Sequence, residues 1–269
     1  MNLKKPLLFL LASLLVFSGL LYSPVLAEEE IVEDVYLDED SSESAADNPD
    51  PTENASPSAR DAFIDDIIAL GKKLYEKTGG KLQRAHYKGD IYVCKNFTVY
   101  LFRETRGGYR MAEYPDTELK IPNNLPEKQC RPYSYGYCWE EIPASKGNPF
   151  VIAAQFLYDS KLSKEENHAL AREFMKQTQK GDYFQMTGDY SGGKGAHSAI
   201  FISDYDPAAD TVHSMDSNRT GKRISGLRYG KVLFDSEMSI DEWIGFFCRK
   251  KCGATLYRLR DDIIYADGH

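Results

Sequence analysis

The first 58 residues of this 269-residue chain cannot build a core, which confines any fold to the residues after them. Residues 1–27 open on Lys4 and Lys5, continue through an apolar stretch from Leu7 to Leu21 and end on Val25-Leu26-Ala27, the pattern of a secretory signal that leaves a mature chain starting near Glu28. The apolar stretch approaches membrane-spanning length, so an uncleaved anchor is the alternative. No cysteine follows it closely, which argues against lipid anchoring of the bacterial lipoprotein kind. Residues 28–58 carry twelve Asp or Glu, three Pro and no Lys or Arg, with almost no large apolar side chain after Leu37. Such a stretch buries too little surface to offset its ordering entropy and is expected to be a disordered spacer.

Charge then narrows the partners. The chain as a whole has a net charge of -8, but setting aside the two leader lysines and the twelve spacer acids leaves residues 59–269 near +2. A nearly neutral domain lacks the basic face that nucleic acid requires, so no nucleic-acid partner is expected. Residues 59–269 are long enough for one domain with a sizeable core.

Hydrophobic periodicity predicts three amphipathic helices in that domain. One spans Ala59 to Thr78, with Phe63, Ile67, Ile68, Leu70 and Leu74 on one face, Ser58 and Asp61 at capping positions and Gly79-Gly80 as a stop. A second runs from Lys164 to Gln179 behind Ser163 and Glu166, and a third from Ile240 to Arg249 behind Ser239 and Glu242, both with capping-box spacing. Lys95 to Arg106 is a further helix-like run. Tyr183–Met186, Ser198–Ser203, Thr211–Met215, Lys231–Phe234 and Thr255–Leu259 read as strands between Gly, Asp and Pro breaks. Helices first and a mostly antiparallel sheet later make an α+β pattern.

Five cysteines follow the leader, and Cys94 alone has no cysteine close to it. In an exported chain the odd thiol calls for an explanation. It sits where the strand-like run Asp90–Val93 meets the helix-like run, and a thiol at a helix N-terminus meets unpaired N–H groups and the positive end of the dipole, which favour thiolate. The bland alternative is an inert buried cysteine. The second element is His197, which is expected to open a strand just after the flexible loop Ser191–Ala196, where it can face a cleft and exchange a proton with the thiol. His86, His168 and His269 open no strand beside a glycine loop. The third element orients the imidazole, and after the Asp204–Pro207 turn the returning strand offers Asp216 first, Asn218 second and His213 third. The bland alternative for each is a turn-capping side chain.

Together these residues resemble the NlpC/P60 and CHAP families of papain-like cell-wall hydrolases. The likeness rests on the apolar-flanked Cys94 opening a helix, on Gly181-Asp182-Tyr183-Phe184 leading to His197-Ser198-Ala199-Ile200, and on Asp216-x-Asn218. It covers Cys94 to Asn218, with a long insertion over residues 110–156. The chain departs from the NlpC/P60 pattern in following Cys94 with Lys95-Asn96 instead of a small polar residue. The resemblance implies a papain-like fold with its N-terminal helices packed on the sheet, Cys94 as nucleophile, His197 as base, Asp216 as orienter, and a peptide or amide bond in peptidoglycan as substrate. The chain is expected to be a secreted or wall-associated monomer that uses no cofactor and no metal and touches a membrane only through an uncleaved leader. The Cys94 N–H would hold the oxyanion, with Tyr87 or Tyr92 as a candidate second donor.

Two other classes compete. A transglutaminase-like acyl transferase shares the Cys, His, Asp order, but no Trp lies between His197 and Asp216. A secreted cell-wall binding module would leave the cleft inert. Residues 188–194 fit Gly-x4-Gly-Lys, yet Gly195 stands where a phosphate loop needs Ser or Thr. Asp204, Asp206 and Asp210 lack the glycine and closing Glu of a calcium loop. Cys130 with Cys138 and Cys248 with Cys252 could form bridges, although four cysteines allow three pairings. Tyr133, Tyr135, Tyr137 and Trp139 offer either a stacking surface or local core.

Overall fold

Helix α1 (Ala59–Thr78) begins where Ser58 accepts a hydrogen bond from the Asp61 N–H and ends at Gly79 in the left-handed region, φ +57°. Both boundaries match the capping chemistry of the sequence. A computed structural model describes residues 57–85, 91–124, 139–190, 193–219 and 222–266. The leader, the spacer up to residue 56, His86, Tyr87, Cys130, Cys138, Tyr133, Tyr135, Tyr137 and His269 lie outside the described residues.

The remaining helices are α2 (Cys94–Thr105), α3 (Lys164–Met175) and α4 (Ile240–Phe247). Capping boxes open α3 at Ser163/Glu166 and α4 at Ser239/Glu242, as the spacing predicts. Both stop earlier than expected, because the chain turns through Gln177 and Thr178 after α3 and leaves helical geometry at Cys248 after α4.

The strands are β1 (Gln83–Arg84), β2 (Tyr109–Met111), β3 (Phe150–Leu157), β4 (Tyr183–Tyr190), β5 (Gly193–Phe201), β6 (Thr211–Ser217), β7 (Lys222–Ile224), β8 (Leu227–Gly230), β9 (Val232–Ser239), β10 (Gly253–Leu259) and β11 (Ile263–Tyr265). Six of them form the central sheet in the order β3-β10-β4-β5-β6-β9, with every described pair antiparallel. Small sheets β1-β8-β7 and β11-β2 stand beside it.

Alternation along the strands divides the core in two. Tyr183, Ile200, Met215 and Tyr257 point to α1 and α2, joining Phe63, Ile67, Phe97 and Phe102. Phe184, Met186, Ala199, Phe201 and Leu256 point to α3 and α4, joining Phe174, Trp243 and Phe247. The α+β class is therefore observed, but the helices do not all precede the sheet or share one face. A sheet covered on both faces reads as nearly continuous apolar runs, which is why Tyr183-Phe184 shows no polar side. Gly71 lets α1 settle against β6, since a Cβ there would meet the Met215 side chain.

Three expectations need correction. The glycine-rich segment before His197 is strand, not loop: β5 begins at Gly193, His197 is its fifth residue, and Gly188 opposes Gly195 across the ladder. The stretch read as an insertion ends in β3, an edge strand that pairs with β10 throughout its length. The Cys248–Cys252 bridge does not form. The Cys248 thiol is unbridged, its N–H continues the helical turn to the Ile244 carbonyl, and Lys251 at φ +63° redirects the chain before Cys252.

Candidate active site

Cys94 is the first residue of α2, behind Val93 in extended geometry with no side chain capping the helix start. The first intrahelical bond runs from the Phe97 N–H to the Val93 carbonyl at 2.9 Å. The early N–H groups of the helix thus remain near the sulfur. Cys94 is half-buried and unbridged.

The sheet supplies the other groups through an interruption in its ladder. β5 and β6 pair only from Ala199↔Asp216 to Phe201↔Ser214, so the β6 side of residues 196–198 is left open. The Cys94 sulfur lies along this open edge, 3.9 Å from the Ala196 carbonyl oxygen, with the N–H groups of Ser198 and Lys95 directed at it.

His197 is 3 % exposed and Asp216 fully buried. His197 Nε2 faces Asp216 Oδ1 at 3.4 Å, a charge contact without the alignment of a hydrogen bond. The imidazole also acts on the Cys94 sulfur, which lies beside it on the β5 edge. The Trp243 ring lies near-parallel to the imidazole, with centroids 6.5 Å apart, and covers it from the α4 side.

The electrostatics favour charge separation. Burial pushes the Cys94 thiol up, but the hydrogen bond and charge of His197, with the two backbone N–H groups, outweigh it and hold the thiol below its ordinary value. Burial likewise disfavours the imidazolium, yet the Asp216 charge and then the sulfur raise His197 to about 9. Thiolate and imidazolium are the matched forms of the pair.

The structure brings Cys94, His197 and Asp216 together and separates the other two candidates from them. Asn218 sits just past β6 at φ +67°, against Gly230, and among the described residues no hydrogen bond joins it to His197. His213 Nδ1 instead pairs with Asp235 at 2.6 Å on the exposed side of β6 and β9. His168 pairs with Asp241 at the surface. Asp182, the acid of the Gly-Asp-aromatic motif, serves the fold rather than the site. Arg258 donates to both its oxygens at 2.8 and 2.7 Å, and the Gln179 N–H bonds it too. Asp206 caps its own turn through the N–H groups of Ala208 and Ala209, and Asp210 binds Arg172, which accounts for the acidic hairpin. Trp139 is core, stacked on Tyr257 at 4.1 Å.

Two groups at the site are not legible in the sequence. Arg219 donates from Nε to Asp216 Oδ2 at 3.0 Å, and its only sequence signal is its place three residues after that acid. Lys95 lies beside the nucleophile with Nζ 4.3 Å from the Trp139 ring centre and 3.3 Å from the Pro122 carbonyl oxygen, and burial lowers its ammonium to about 7. Its partner ring comes from a distant segment, so sequence spacing could not reveal the pair.

Comparison with protein-family models, curated proteins and solved structures returned no match, so the fold and site stand on their own geometry.

Proposed function

We propose that this chain is a cysteine hydrolase of papain-like organisation that cleaves an amide or peptide bond, with peptidoglycan as the substrate its export signal and family resemblance favour. The observation that carries the proposal is the Cys94 sulfur at a helix N-terminus, set on the β5 edge beside a buried His197 that in turn faces buried Asp216. That arrangement is the nucleophile, base and orienter of acyl transfer.

In the proposed reaction the Cys94 thiolate attacks the amide carbonyl carbon, and the carbonyl electrons move to oxygen. The N–H groups at the start of α2 face the developing oxyanion. Imidazolium His197 then gives its proton to the leaving nitrogen, the C–N bond breaks and a thioester remains. Neutral His197 next takes a proton from water, whose oxygen attacks the thioester. Collapse of the second oxyanion releases the carboxylic acid and returns thiolate and imidazolium. Asp216 and the Trp243 ring hold the imidazole in place throughout.

The test uses purified peptidoglycan incubated with the wild-type chain and with Cys94→Ala, with new amino termini counted. Release by the wild type alone supports the proposal. Equal release by both chains, or none by either, contradicts it.

A further inference from the structure

Asp216 is fully buried, and its contact with His197 leaves Oδ1 without an aligned hydrogen bond. A buried carboxylate in that position calls for a further partner to offset its desolvation. Arg219 is that partner. Its Nε holds Asp216 Oδ2 at 3.0 Å, its Nη2 donates to Ser236 Oγ at 2.5 Å, its Nη1 contacts the Met238 sulfur, and its guanidinium lies 5.4 Å from the centre of the Trp243 ring. The side chain is 11 % exposed. The guanidinium therefore fastens the end of β6 to β9 and α4 where a bulge between Ser214 and Asp216 shifts the β6–β9 register. With Oδ2 fixed by Arg219, the remaining oxygen is turned to His197.

We propose that Arg219 is a positioning residue of the thiol site: it holds the Asp216 carboxylate turned toward His197, and so favours the thiolate of Cys94. The inference rests on Cys94, His197 and Asp216 working as one unit, whatever substrate they act on. Among the described residues, the charged groups facing that unit are Lys95 from α2 and Arg219 from the turn after β6, while β9 offers Ser236 and Met238 and α4 the neutral Trp243 ring.

Removing Arg219 has two opposing effects. Loss of its own positive charge would stabilise the imidazolium. Release of the Asp216 carboxylate from its fixed orientation weakens the charge contact that stabilises the imidazolium, and this effect is the larger, because Asp216 Oδ1 faces the ring nitrogen at 3.4 Å. The net result is less thiolate at neutral pH.

The experiment measures the rate at which iodoacetamide labels Cys94 in the full chain as pH is varied, resolved by mass spectrometry of the Cys94 peptide. Arg219→Gln is expected to move the labelling midpoint up by about one pH unit or more, and Arg219→Lys by less. Asp216→Asn is expected to give the same upward shift, with no further shift when Arg219→Gln is added to it. An unchanged profile in Arg219→Gln, a downward shift, or an equal shift added on top of Asp216→Asn overturns the proposal. If melting shows that Arg219→Gln does not fold, Ser236→Ala decides: a smaller upward shift supports the role, and an unmoved profile in a folded protein refutes it. Labelling needs no substrate, so failure of the hydrolase reading would show instead as absent peptidoglycan cleavage beside an intact labelling profile.

Discussion

The Cys94 sulfur lies 3.9 Å from the Ala196 carbonyl oxygen, along the stretch of the β5 edge that β6 leaves unpaired. The site is thus built from a gap in the sheet. The same gap gives the sulfur the Ser198 N–H, and a strand continuing beside residues 196–198 would occupy its place.

pH should act on turnover through both partners. Cys94 sits below the ordinary thiol value and His197 is raised to about 9, so the ion pair is present between the two and is lost on either side. Cleavage is expected to fall as pH rises through about 9, where the imidazolium that protonates the leaving nitrogen disappears. A rate of amide cleavage that keeps rising with pH beyond that point would contradict the assignment of His197 as the acid.

Removing the imidazole should be far more damaging than removing its neighbours. His197→Ala is expected to lower the cleavage rate by about 100-fold to 10,000-fold. His213→Ala should stay close to wild type, since His213 is engaged with Asp235 away from the sulfur. Equal losses in the two variants, measured with the same peptidoglycan assay, would place the base elsewhere.

Asp182→Ala tests the structural reading of the Gly-Asp-aromatic motif. Arg258 would lose both oxygens of its fully buried partner, and breaking such a pair costs about 3–5 kcal/mol. Denaturant unfolding should show that loss, with the Cys94 labelling profile unchanged in the protein that remains folded. A variant as stable as wild type would refute the reading.

Much of this fold is legible in the sequence because its signals are local. Ser58 and Gly79 bound α1, and the Ser163/Glu166 and Ser239/Glu242 boxes open α3 and α4. What escapes depends on partners far along the chain. β3 exposes Val151 and Ile152, 43 % and 57 % accessible, so its edge position gives it no alternating pattern. β4 and β5 run through glycines that would break an isolated strand but here face one another across the hairpin. Cys94, His197 and Asp216 are visible as residue types in a meaningful order. The support from Arg219, Ser236 and Trp243 is not, since it comes from β9 and α4 folding back over the turn after β6.

Lys95 makes a prediction of opposite sign to that of a paired charge. Its folded-state value of about 7 lies below the ordinary 10.5, so the unfolded chain binds more protons and stability from this group rises as pH climbs between the two. Lys95→Met should raise the melting temperature near pH 6 and raise it less near pH 10. A variant less stable than wild type at the acidic end would mean that the ammonium is held by its contacts with Trp139 and Pro122 more strongly than burial opposes it.

The most direct measurement is the rate of iodoacetamide labelling at Cys94 against pH, in wild type and in His197→Ala. In wild type the labelling midpoint should lie below that of a free thiol, about 8.5, and in His197→Ala it should move up to that value or beyond, because burial then acts on the thiol without a compensating imidazolium. A wild-type midpoint at the free-thiol value that His197→Ala leaves in place would show that sulfur and imidazole do not act together.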